Sequence, residues 1–427
     1  MGAEAIRPQP AVLAGGTQWL LLAARTLYCL GCLTLPLLVV RAGGITASDA
    51  LFAMALLMAA AAVVGCGQLP KLHGLGVIVV AGAGYTVAAL LSSLALPADA
   101  LIGSAFAAVK FFYLTAVWFA LGILVLPSFT HTVSAVSFWT LGCALSGLGG
   151  LAQTVIDPTV IPLTESIVGR AVGFTGHPND LGASLGIALA PALALATGTA
   201  LSRFRRLLTG ACLTLVVTGL ILSASASGII SAVAAVATWI VLTGRTRLGL
   251  ILAGIGAAVL VAVGVLLETA SVELSAVADL YALSEGGKGG TFAERIDTFV
   301  AAWEEISAQP LLGVGTVAGG RLTRVGLATH NVLLGAWFET GVLGMLSLLL
   351  ILLAAFWISR RALQLAVDRE VRNLVAALIG AEVAFSIYSM TAPGLYQRYG
   401  WISVALIFAM YNSLRLHYVT HSRWKNA

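Results

Sequence analysis

Four stretches of this chain carry residues whose type and spacing could do chemistry. In ATHNVLLGAWFETGVLG (328–344), His330 and Asn331 open an apolar run and Glu339 lies inside it. A histidine at such a mouth has the ordinary pKa to take a proton from a hydroxyl near neutrality. In HPNDLG (177–182), His177, Asn179 and Asp180 gather around Pro178, and Arg170 stands upstream. In TFAERIDTFVAAWEEISAQP (291–310), Arg295 sits near the start of a helical pattern. A guanidinium there, next to a helix N-terminus, would suit a phosphate. The fourth set is scattered: Arg25, Lys110, Glu339 and Glu382 all fall inside apolar runs, two of each sign.

The elements that must position these groups follow from composition. Of 427 residues, 59% are hydrophobic and 10% charged, against roughly a quarter charged in a soluble domain. Apolar stretches of about 20 residues, enough for ~30 Å of hydrocarbon, recur throughout, so the chain reads as an integral membrane protein. Its backbone must be satisfied internally, which makes helices the expectation, and the alternating pattern of a membrane β-barrel is absent. The expected fold is all-α and polytopic, a single membrane domain over 1–427 with about twelve spans. They are read at 17–40, 49–66, 75–97, 100–126, 132–156, 179–200, 207–224, 226–243, 248–268, 331–358, 373–392 and 401–417.

Charge then sets the topology. With both termini cytoplasmic, the inside segments hold 14 of the 23 Lys and Arg, the outside ones seven, and Arg25 and Lys110 lie within spans. The net charge of +5 accordingly reads as orientation and contact with anionic lipids, not nucleic acid. The first apolar segment is too long for a cleaved signal peptide. Cys29 and Cys32 form a CxxC without a second pair or flanking histidines, so packing is the reading for the cysteines.

Two substantial segments face outward, 157–178 and 269–330. In the second, Phe292, Ile296, Phe299, Trp303 and Ile306 fall on one helical face, Thr291 and Glu294 form a capping box, and Pro310 follows. The spacing predicts an interfacial helix over 291–308 with its apolar side toward lipid. Arg295 on it is either a phosphate ligand or a solvated arginine paired with Glu294 or Asp297. The glycine-rich SEGGKGGT before it lacks the spacing of a phosphate loop and reads as a linker.

HPNDLG at 177–182, an outward Arg295 followed by WEEISAQPLLGVG, and His330-Asn331 ahead of GVLG at 341–344 together resemble the O-antigen ligase and O-antigen polymerase superfamily. The resemblance covers roughly residues 170–358. It implies a glycosyltransferase of the bacterial inner membrane that takes a glycan from an undecaprenyl diphosphate carrier at the periplasmic face. The acceptor would be another carrier-linked glycan (polymerase, slightly preferred) or lipid A-core (ligase). Partners would include membrane lipids and other polysaccharide-assembly proteins. The resemblance makes His330 the catalytic histidine and Arg295 the diphosphate ligand, with no metal or cofactor. One departure stands out: relatives carry an arginine in a Ser-Arg-Gly-like turn where this chain has SASASG at 223–228. Arg170, Arg321 or Arg324 are the candidates to replace it, Arg170 first.

A diphosphate is already a good leaving group, so such a site needs charge stabilisation, a base and exclusion of water. Glu339, nine positions from His330, would point from the opposite helical face about 13 Å deeper and would not orient the histidine. The four intramembrane charges are expected to pair acid with base. If they line a passage instead, the alternative is a transporter; a structural scaffold is the third reading.

Overall fold

The computed structural model describes residues 15–42, 44–67, 71–94, 96–167, 169–199, 201–247, 249, 251, 289–316, 322–326, 328–392 and 394–425. It is an all-α, polytopic membrane protein. The helices are α1 (Gly15–Thr34), α2 (Ala47–Cys66), α3 (Leu75–Ser93), α4 (Ala98–Phe112) and α5 (Trp118–Val125), the last two joined by a π-helical turn at Tyr113–Val117. Then come α6 (Phe129–Val155), α7 (Pro178–Thr197), α8 (Arg203–Leu222), α9 (Ala226–Thr243), α10 (Gly289–Ala308), α11 (Val332–Leu365), α12 (Arg369–Ser389) and α13 (Arg398–Lys425). A two-residue antiparallel hairpin, β1 (Arg41–Ala42) and β2 (Ile45–Thr46), leads into α2.

Among the described residues, nine segments are long and apolar enough to cross a membrane. Helices α1 and α13 coincide with two further expected spans but fall outside that set, and the expected span at 248–268 lies outside the described residues. The count of about twelve is thus not confirmed, while the polytopic helical frame is as expected. Outward faces are apolar as lipid requires: Val64 and Ile102 are each 81% exposed. Helix α13 is the opposite case, because residues 401–411 are buried on every side, as a helix apolar all round must be. Trp401 anchors it, its ring meeting Phe385 at 5.2 Å and Phe111 at 5.9 Å.

Local sequence explains the ends that matter. Thr46 and Asp49 form a reciprocal capping box that starts α2. At α7, the His177 side chain accepts the Asn179 N–H and Pro178 fills the first helical position. At α11, Asn331 Oδ1 accepts the N–H groups of Leu333 and Leu334. Cross-chain bonds respect the alternation of spans. Arg398 with Asp49, Ser104 with Thr316 and Arg170 with Ser223 meet at the loop-rich end. His73 with Asn412 and Thr199 with Glu370 meet at the other.

Two expectations are corrected. The run read as one span at 331–358 is broken at Gly341 (φ +68°, ψ −174°). Among the described residues, no ion pair within 4.0 Å joins any two of the four intramembrane charges, against the expected pairing of acid with base. Arg25 Nε donates to the Val125 carbonyl at 3.0 Å, Glu382 accepts from the Ser359 hydroxyl, and Glu339 accepts from Tyr396. For Arg25 and Glu382 a nearby backbone carbonyl or hydroxyl satisfies the group locally, without a second buried charge to desolvate.

Candidate active site

The break in α11 organises the site. It frees the carbonyls of Phe338 and Glu339, which then accept the N–H groups of Val314 and Gly315 at 2.9 and 3.0 Å. The Val342 N–H donates in turn to the Pro310 carbonyl at 3.0 Å, and so does Trp337 Nε1. The PLLGVG stretch is thus a strap laid across the break, and it satisfies backbone groups that a continuous helix would have paired itself. Only glycine fits at 341: its φ is open to glycine, and a Cβ there would land on the Leu311 carbonyl. The strap ends at Thr316, whose hydroxyl lies 2.7 Å from that of Ser104 on α4. Helix α10 leads into the strap, burying Ala302 and Ile306 against Leu334 and Phe338, with Trp303 edge-on to Trp337 at 5.8 Å. The apolar face expected to meet lipid is therefore divided: its C-terminal part packs on α11, while Ile296 and Phe299 are about half exposed. The capping box expected at Thr291 and Glu294 involves side chains outside the described residues.

Beside the short first part of α11 lies a cavity of about 510 Å³ at the loop-rich end. Asn331, Val332, Gly335 and Glu339 line it at the three- and four-residue steps of one helix face. Lys110, Asp180, Tyr396 and Arg398 complete its polar walls. Glu339 is buried, and its carboxylate accepts the Tyr396 hydroxyl at 3.0 Å. Burial and the charge of Glu339 hold the Tyr396 phenol well above its usual pKa, so it stays a donor. Asp180 accepts the Tyr399 hydroxyl at 2.8 Å, and Tyr399 also reaches the Tyr388 hydroxyl at 3.3 Å.

The candidates from sequence distribute as follows. His330 is half-buried directly before the Asn331 cap, with its neighbours Thr329 and Asn331 in the cavity wall. Asn331 and His177 are both helix caps. Arg170 is buried; its Nε donates to the Ser223 carbonyl at 3.0 Å and its Nη2 to Asn179 Oδ1 at 2.8 Å. Its guanidinium therefore stands at the SASASG turn and ties that turn to HPNDLG. Arg295 is exposed, and Tyr388 lies within reach of its charge. Asp297 is not its ion-pair partner, since among the described residues the ion pairs are Arg324 with Glu304 and Arg398 with Asp49. Arg324 is thus engaged on α10, its backbone N–H also bonding Glu305. Arg321 lies outside the described residues. Of the intramembrane charges, Lys110 and Glu339 reach the cavity, whereas Arg25 and Glu382 are absent from its lining.

Sequence reasoning missed Asp49, Arg398, Tyr396 and Tyr399. Asp49 was legible only as the acid of the TASD capping pattern, and LYQRYG offered no periodic signal between two spans.

Comparison with known proteins bears on the same segment. No curated protein matches the chain. Residues 210–349 match the family model described as O-antigen ligase, a stretch that includes the described part of α10, the strap and the break. That match, over the segment holding Arg295, His330 and Glu339, supports the resemblance to the O-antigen ligase and O-antigen polymerase superfamily.

Proposed function

We propose that the protein transfers a glycan from undecaprenyl diphosphate to an acceptor hydroxyl at the periplasmic face of the bacterial inner membrane, both termini being cytoplasmic. The family match supports the coarser statement, a membrane glycosyltransferase of O-antigen ligase or polymerase type. The observation that supports the finer reading is a cavity of about 510 Å³ whose wall includes Thr329 and Asn331, the two chain neighbours of His330, inside the matched segment.

In this reading His330 takes the proton of the acceptor hydroxyl as its oxygen bonds to the anomeric carbon. The bond from that carbon to the diphosphate oxygen breaks, with inversion, and the electron pair leaves on the carrier. General base action of this kind is worth about 10²–10⁴-fold. Arg295 and Arg170 stabilise the departing diphosphate, Arg170 supplying from the 157–178 loop the charge that the SASASG turn lacks. No step calls for a metal, because the leaving group is already activated. Other polysaccharide-assembly proteins would supply the flipped donor.

The polymerase reading is preferred to the ligase reading, and one assay separates them. Purified protein receives an undecaprenyl diphosphate-linked oligosaccharide with either a second carrier-linked unit or lipid A-core, with His330→Ala as control. A ladder on the carrier, lost in the variant, indicates a polymerase, and glycan on lipid A-core a ligase. Full product from folded His330→Ala would sink the catalytic role; no transfer by wild type to either acceptor would sink the transferase reading.

A further inference from the structure

One wall of the cavity has a charge surplus that the transfer chemistry above does not use. Lys110, half-buried on α4, projects to 5.6 Å from the ring centre of Tyr396. Among the described residues its ammonium has neither a carboxylate within 4.0 Å nor a hydrogen bond. The charges that act on it are those of Arg398, Asp49 and Arg41. Asp49 is already saturated: its carboxylate accepts from Arg398 Nε at 2.8 Å, pairs with Arg398 Nη2 at 2.6 Å, and accepts the Thr46 N–H at 2.8 Å and the Thr46 hydroxyl at 3.0 Å. It therefore offsets Arg398 and leaves Lys110 and Arg41 uncompensated. The two other acids of the cavity, Glu339 and Asp180, take tyrosine hydroxyls and are not among the charges acting on Lys110.

A cation held at membrane depth without a counter-charge is costly, and in such a place it marks a pathway or a ligand. The attraction of the Tyr396 ring face offsets only part of that cost. We infer that Arg41, Lys110 and Arg398 form an anion-recognising wall for the acceptor, so that the preferred acceptor brings a phosphate or carboxylate group into the cavity. Neither Arg170 nor Arg295 lines the cavity, so this wall is separate from the arginines assigned to the donor diphosphate. Around it, Gln397, Thr46 and Thr329 offer hydrogen bonds to sugar hydroxyls, and Phe106 an apolar surface. The anion could belong to the acceptor's own carrier diphosphate or to an acidic sugar, and the two sources are separable.

The inference rests on the transferase reading, and the experiment distinguishes their failures. Full-length protein in nanodiscs is offered three acceptors at fixed donor: a neutral disaccharide on undecaprenyl diphosphate, the same disaccharide on an uncharged octyl group, and a glucuronate-ended octyl disaccharide. Lys110→Met and Arg41→Gln should raise the acceptor KM about tenfold or more for an anionic acceptor, with the donor KM and the neutral octyl acceptor unchanged. Lys110→Arg, which keeps the charge, should retain most of the affinity. A rise confined to the first acceptor names the carrier diphosphate, and one confined to the third names an acidic sugar. Unchanged KM values throughout, or an equal rise for the neutral acceptor, overturn the inference and leave the transferase intact. If wild type transfers to none of the three and not to lipid A-core, the transferase reading fails, and calorimetric titration with inorganic pyrophosphate and with glucuronate decides the matter. Weaker binding by Lys110→Met supports the wall, and unchanged binding of both ligands overturns it.

Discussion

Replacing Gly341 by alanine tests whether the strap across α11 is what holds the site. The backbone there has φ +68° and ψ −174°, a region nearly closed to other residues, and forcing alanine into it costs about 1–3 kcal/mol. The new Cβ also meets the Leu311 carbonyl, a backbone group that cannot rotate away, so 310–315 must lift. Lifting forfeits the bonds Val314 to Phe338, Gly315 to Glu339 and Val342 to Pro310, worth about 1 kcal/mol each. The sum is about 4–6 kcal/mol. Gly326→Ala is the matched control: φ is +76° there too, but no atom lies within 4 Å of the added carbon, so only the left-handed backbone cost of about 1–2 kcal/mol applies. Unfolding by SDS titration in mixed micelles should therefore separate the two variants by roughly 3 kcal/mol, and only Gly341→Ala should lose transfer. Equal losses, or a Gly341→Ala protein with wild-type stability and activity, would refute the role given to the strap.

Further outcomes can be checked with the same preparations. Arg295→Ala should raise the apparent KM for the lipid diphosphate donor with the fold retained, since the side chain is exposed; an unchanged KM would return Arg295 to a solvated surface role. Asp49→Ala leaves the Arg398 guanidinium buried without its partner and should cost about 3–5 kcal/mol in the same titration, with part regained in Asp49→Leu/Arg398→Met. A loss below about 1 kcal/mol would mean that water replaces the carboxylate. Glu382→Gln should be nearly silent in expression and melting, because its partner is the Ser359 hydroxyl; a large loss would point to a buried counter-charge.

Much of the frame is legible in the sequence because lipid leaves a chain few choices. Long apolar runs became helices, and Pro178 and the residues before it start α7 as the capping rules require. What could not be read is what depends on distant segments meeting. Nothing in ETGVLG announces that Gly341 leaves the helix; that follows from a strap arriving 27 to 30 residues earlier, at 311–314. The helical-wheel estimate for Glu339 counted from His330, which precedes the Asn331 cap and lies outside the helix. The short helix instead runs alongside the cavity, so a residue nine positions from the histidine still reaches that space through the face shared with Gly335. The pairing of the buried charges was misjudged for the same reason. Asp49 and Arg398 are 349 residues apart, and the hydropathy pattern puts one at the edge of a span and the other in a loop.

The two walls of the cavity come from different parts of the gene. The 328–339 side falls within the segment that matches the family, whereas Arg41, Lys110 and the 394–398 loop lie before and after it. Variation in the flanking regions can therefore reshape what the cavity accepts while the histidine, the strap and the break stay fixed. Exchanging the 38–49, 106–110 and 394–398 segments between two relatives should move acceptor preference with those segments and leave donor preference behind.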